Sequence, residues 1–185
     1  STSGHLIPDY AMVLNYGFKG IHEQIQERLK SLTPSERSGK KGAQLRAMLT
    51  ATFLPKELAE KYSELCSRLA AHEDDIARKN ELLQMAENLQ RVPWEPARNF
   101  WEAIQSLWIT HMLVMSDENY PGPGTSFGRF DQFLYPFWEH SINEGMDREF
   151  GKEILKCFWV HANTAYDFMI RTGGNQGITA GYGQL

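Results

Sequence analysis

Helical periodicity punctuated by proline and glycine is the feature that most constrains this fold. From Tyr10 to Leu32 the apolar residues Met12, Val13, Tyr16, Ile21, Ile25 and Leu29 recur at helical spacing. Pro8 sits where a first turn accepts proline, because its missing N–H would have no partner there. Gly17 and Gly20 weaken this helix or let another element come close. Thr33-Pro34-Ser35-Glu36 reads as a stop followed by a fresh helix start, and residues 37–42, polar and glycine-containing, read as a loop. A long helical region is predicted from Ala43 to Gln90 with a break at Pro55. Leu58, Tyr62, Leu65 and Leu69 form one stripe on it; Leu82, Met85 and Leu89 form another.

After Val92-Pro93-Trp94-Glu95-Pro96 the composition changes. Aromatic residues before Trp94 are few (Tyr10, Tyr16, Phe18, Phe53 and Tyr62), and the rest fall in the second half. Phe100, Ile104, Leu107, Trp108, His111, Met112 and Met115 define a strongly apolar helix face. Asn119 to Ser126, with two prolines and two glycines, is excluded from helix. Phe127 to Trp138 is expected to be a strand or a buried extended segment, and Asp147 to Tyr166 another helix. Thr172 to Gly183 is a glycine-rich loop that lacks the lysine-ending pattern of a phosphate cradle. The fold class expected is mainly α.

The net charge of the 185 residues is −4, which argues against nucleic acid or an anionic membrane surface as partner. No apolar run approaches the roughly 18 residues that cross a bilayer. The start, Ser1-Thr2-Ser3-Gly4, has no signal-peptide pattern and no initiator Met, and the end lies within the glycine-rich stretch, so a piece of a longer polypeptide is expected. Cys66 and Cys157 stand in no metal-binding spacing, which fits a reducing, cytoplasmic compartment. Cys157, in an apolar helical context, is expected to be a buried, inert thiol.

The remaining polar residues each have a plain reading. Asp9 stabilises a helix N-terminus, and by spacing alone His5 is a surface residue. The Pro-Gly-Pro-Gly loop with Thr125 and Ser126 is either a rigid connector or a snug wall. Arg129 and Asp131, set among aromatics, are expected to form a buried ion pair that holds the loop. His111, on an apolar face, is expected to be a hydrogen-bonded core histidine. No histidine has metal-ligand spacing.

Three ordered stretches carry a resemblance. Gly4-His5-Leu6-Ile7-Pro8-Asp9-Tyr10, with Val13-Leu14, Gly17 and Gly20-Ile21, is similar to a GHxxPDYxxVLxxGxxGI segment. Val92-Pro93, Pro96-Ala97-Arg98-Asn99-Phe100-Trp101-Glu102-Ala103-Ile104-Gln105, Leu107-Trp108 and His111 resemble a VPxxPARxFxEAxQxxWxxHL helix. Ser126 to Pro136 resembles SxGRxDQYxYP. All three belong to glycyl radical enzymes of the pyruvate formate-lyase-like superfamily.

The resemblance implies part of a ten-stranded α/β barrel with a helical shell. Residues 1–92 would contribute shell and 93–185 the aromatic core and barrel wall. It implies a homodimeric or larger anaerobic enzyme that cleaves a small organic acid. A radical S-adenosylmethionine activase would install the post-translational glycyl radical, and a cysteine thiyl would abstract hydrogen from substrate. Neither the GCxE-like nor the RVxGY-like motif occurs here, so no catalytic residue and no cofactor is expected in this chain. His5, Gly124, Thr125, Ser126, Ala180, Gly181 and Tyr182 are the expected substrate-facing residues, with Arg129 and Asp131 as scaffold. Pro123-Gly124 stands where diol dehydratases of the family carry His-Ser. That leans toward arylacetate decarboxylation of the 4-hydroxyphenylacetate type. The alternatives are fumarate addition, dehydration, formate acetyltransferase-like chemistry or, outside enzymes, a helical interaction domain.

Overall fold

The computed structural model describes residues 6–117 and 125–172, with side chains as far as 164. These residues are mainly helical, as expected: α1 (Tyr10–Lys30), α2 (Pro34–Ser38), α3 (Lys40–Ala51), α4 (Phe53–Ala71), α5 (Ile76–Arg91), α6 (Phe100–Asp117), α7 (Phe130–Asn143) and α8 (Arg148–Thr172). The chain divides into two compact units, residues 12–97 and residues 1–11 with 98–185.

In the unit over 12–97, α1 is interrupted at Gly17, where φ is +64°. A Cβ there would lie 2.2 Å from the Trp94 carbonyl oxygen, so both conformation and space demand glycine. The 93–97 segment fills the interruption with backbone hydrogen bonds. Phe18 N–H and Lys19 N–H donate to the Pro93 and Trp94 carbonyls, each at 2.9 Å, and Ala97 N–H donates to Leu14 O at 3.0 Å. Groups orphaned by the helix break are thus satisfied by one irregular stretch that begins in a turn. The Val92–Pro93 peptide within it is cis. Trp94 stacks on Phe53 at 5.3 Å between ring centroids, and His22 joins them while bonding Thr52 Oγ1 at 2.8 Å.

The fresh start expected at Thr33 is present as a capping box. Thr33 Oγ1 accepts from Glu36 N–H, and the Glu36 carboxylate accepts from Thr33 N–H. The expected loop over 37–42 is instead helix on both sides of Gly39. The chain turns tightly enough that a Cβ at Gly42 would meet the Arg37 carbonyl at 1.9 Å. The expected break at Pro55 falls at Thr52. Pro55 lies in the first turn of α4, where no N–H is needed.

Helices α4 and α5 pair through small residues. Ala59, Ser63, Cys66 and Ala70 are buried along α4, opposite Leu82, Ala86 and Leu89 of α5. Ser63 Oγ donates to Ala86 O at 2.8 Å, which requires close backbone approach. Of the expected apolar stripe, Leu58 is half-buried, while Tyr62, Leu65 and Leu69 lie exposed on the adjoining face, at 38%, 37% and 51%. Side-chain volume explains the difference: α5 fills the seam with Leu82 and Leu89, which leaves room only for small residues on α4. Burial pushes the Cys66 thiol pKa up, the state of an inert thiol.

In the other unit, α6 is anchored at its start. Asn99 Oδ1 accepts from Glu102 N–H at 2.9 Å, and Phe100 N–H donates to Ser141 Oγ at 2.8 Å. The expected apolar face is seen: Phe100, Ile104, Leu107, His111 and Met115 are buried. Phe127 to Trp138 is not a strand. Only 125–129 is extended or bent, and α7 begins at Phe130. Aromatic content suggested sheet, but Phe130 and Leu134 follow a helical repeat, and Pro136 is accommodated inside the helix. The helix expected over 147–166 is present as α8. Its Cys157 is exposed rather than buried, because Ile154, Phe158 and Ala162 form the inward face.

Candidate functional site

Three sequence stretches meet in the unit over 1–11 and 98–185. Pro8 and Asp9 lead into α1, and ahead of them Leu6 forms a single parallel bridge with Thr125. Ser126 N–H donates to Leu6 O at 3.0 Å. Gly128, at φ +67°, follows so closely that a Cβ would lie 2.7 Å from Ile7 Cγ2. Glycine therefore lets the chain turn past Ile7 and into α7. Thr125 is fully buried and Ser126 half-buried, and Ser126 Oγ accepts from Gly128 N–H at 3.2 Å.

Beneath the bridge lies a buried polar pair. Tyr10 Oη and His111 Nδ1 are joined by a hydrogen bond of 2.6 Å, with Tyr10 1% and His111 0% exposed. The His111 ring lies 4.1 Å from that of Phe127, between centroids. Phe133 approaches Tyr10, and Phe158 approaches Phe127 at 5.1 Å. Burial in this aromatic setting lowers the His111 pKa to about 4, because the charged imidazolium would lose its hydration. The expected core histidine is thus confirmed, as a neutral group.

Two further polar features bear on the stretch. Glu102, fully buried, receives Arg98 N–H at 2.8 Å and the Arg98 guanidinium at Nε. This buried carboxylate at the start of α6 was not singled out in the sequence; its place four residues after Arg98 was the available signal. Arg129 and Asp131 do pair, at 3.3 Å, but both side chains are about 70% exposed. The expected burial is therefore corrected: Phe130 and Phe133 take the packed side of α7, against Phe158 and Tyr10, and leave the ion pair outside. The pair raises the Arg129 pKa and lowers that of Asp131 through their mutual hydrogen bond.

The structure brings Leu6, the neighbour of His5, against Thr125 and Ser126. His5, Gly124, Ala180, Gly181 and Tyr182 lie outside the described residues. No group of three or more metal-ligating side chains occurs among the described residues, and none of their helices is long and apolar enough to cross a membrane.

The family model described as "Pyruvate formate lyase-like" matches residues 1–183. The isethionate sulfite-lyase of Desulfovibrio desulfuricans is 37% identical over 180 residues, 91% of this chain and 21% of the relative. The indoleacetate decarboxylase of Tractidigestivibacter scatoligenes is 33% identical over 162 residues, 87% of this chain and 18% of the relative. Among solved structures, the glycerol-bound, B12-independent glycerol dehydratase of Clostridium butyricum superposes with a TM-score of 0.77 at 29% identity, covering 86% of this chain and 20% of that one. The chain thus spans about one fifth of the length of the proteins it matches. By its sequence across nearly all of its residues and by its helical structure, the chain belongs to the pyruvate formate lyase-like family.

Proposed function

We propose that this chain is the shell and substrate-wall portion of a glycyl radical lyase that acts on a small organic acid. The observation that carries the reading is the family match over residues 1–183. The full polypeptide would build the ten-stranded barrel, with shell from residues 1–92 and wall from 93–185, and would work as a cytoplasmic homodimer or larger assembly. The glycyl radical, installed by a radical S-adenosylmethionine activase, would supply hydrogen abstraction through a cysteine. Neither cysteine here suits that role, since Cys66 is buried in the α4–α5 seam and Cys157 is on the outer face of α8. Both radical-bearing residues would come from elsewhere in the polypeptide.

This chain's own residues bind and orient. His5, Gly124, Thr125, Ser126, Ala180, Gly181 and Tyr182 would face the substrate. Arg129 and Asp131 would hold the turn into α7, an exposed pair of the kind that contributes little to stability. For the bond that breaks, the sulfite-lyase likeness, at 37% and over more of the chain, favours elimination from a small polar acid. Arylacetate decarboxylation is the second reading. It is favoured by Pro123-Gly124 in place of a hydroxyl-binding His-Ser pair and by the indoleacetate decarboxylase likeness at 33%.

The test is anaerobic activation of the full-length polypeptide with its activase. A glycyl radical signal in electron paramagnetic resonance is expected, with sulfite released from a 2-hydroxyalkyl sulfonate. Carbon dioxide from an arylacetate instead would select the second reading. An absent radical, or a radical with neither product, overturns the proposal.

A further inference from the structure

Among the described residues, the two wall segments meet at the Leu6–Thr125 bridge, where Ser126 N–H donates to Leu6 O. What flanks it is more specific. Four residues after Leu6 stands Tyr10, and two residues after Thr125 stands Phe127. Both close on the same side chain of α6: Tyr10 through the 2.6 Å hydrogen bond to His111, Phe127 through the 4.1 Å ring contact. His111 therefore ties together the segments on either side of the bridge. A hydrogen bond has a defined distance and direction that aromatic packing lacks, and in a fully buried site neither partner can turn to water.

We propose that Tyr10 and His111 are positioning residues of the substrate wall, their buried hydrogen bond setting how the segment after His5 lies beside Thr125 and Ser126. This rests on the reading of those segments as wall. Neither side chain need touch substrate; each acts through the backbone it holds.

The variants are Tyr10→Phe, His111→Leu and His111→Asn, in the activated full-length polypeptide. Phenylalanine and leucine keep the bulk and remove the bond. Asparagine offers an amide that accepts or donates near the Nδ1 position, whichever partner is the donor in the wild type. Tyr10→Phe and His111→Leu are expected to raise KM about tenfold, the effect of one lost buried hydrogen bond, with radical content per subunit unchanged. His111→Asn is expected to recover KM to within about threefold of wild type. Amide exchange at Ser126 supplies a readout independent of turnover: about tenfold faster in Tyr10→Phe and near wild type in His111→Asn. KM and Ser126 exchange both unmoved in Tyr10→Phe, or His111→Asn no better than His111→Leu, would overturn the proposal. If the wild type shows no turnover, the functional reading fails on its own, and the Ser126 amide still decides the positioning role.

Discussion

His111 illustrates how a single buried side chain links packing to pH. Its pKa of about 4 in the folded state lies below the ordinary value of 6.5. Between those values the unfolded chain binds a proton that the folded one refuses, so stability falls as pH falls through that window. The full contribution is present above pH 6.5 and is lost by about pH 4, and a shift of this size corresponds to roughly 3 kcal/mol. The urea midpoint of the wild type is expected to drop more steeply from pH 6.5 to 4 than that of His111→Asn, which has no imidazole to charge. Equal slopes would show that His111 is not the group responsible. The sequence made this histidine legible as a core residue, because six apolar residues share its helix face. Its partner was not legible, since Tyr10 lies 101 positions away and no local spacing relates the two.

At the scale of elements, the α4–α5 pair is held by what it leaves out. Ala59 and Ala70 are each 1% exposed, and Ser63 reaches the Ala86 carbonyl across the seam. Ala59→Leu is expected to destabilise the protein by about 2 kcal/mol, the usual effect of overfilling a tight core, read as a lowered urea midpoint. Leu65→Ala, on the exposed face of the same helix, is expected to change the midpoint of the isolated chain far less. Helix existence was readable from three-and-four spacing for α1, α4, α5 and α6, and the start at Thr33 from its capping box. Which face goes inside was not readable for α4, because apolar leucines and small residues compete for burial and only the neighbour's distance decides. The same competition hid α7. Phe127 to Trp138 has the residue types of a strand, yet Gly128 and the turn at Arg129 commit the chain to helix from Phe130. Of the residues expected to face substrate, Thr125 and Ser126 stand beside Leu6, and His5, Gly124, Ala180, Gly181 and Tyr182 lie outside the described residues.

For the whole molecule, the exposed leucines are the telling feature. Tyr62, Leu65 and Leu69 form a helical stripe in water, and exposed apolar patches mark surfaces that meet something else. The proteins this chain matches are about five times longer, and the remainder of a full polypeptide is the proposed cover. The isolated chain is accordingly expected to bind a hydrophobic dye, and Leu65→Lys with Leu69→Lys to reduce that binding. In the full polypeptide the same double change is expected to lower the thermal midpoint. Dye binding unaffected by the pair would place the exposed surface elsewhere.

The Tyr10–His111 bond also has a consequence in time. A ribosome adds about 5–20 residues per second, so a tyrosine whose partner follows 101 positions later waits roughly 5–20 seconds before that partner is made. Throughout that delay the segment around Tyr10 lacks both its bridge to Thr125 and its hydrogen bond to His111. This contact is therefore made late, by capture of an earlier segment onto a helix synthesised long after it.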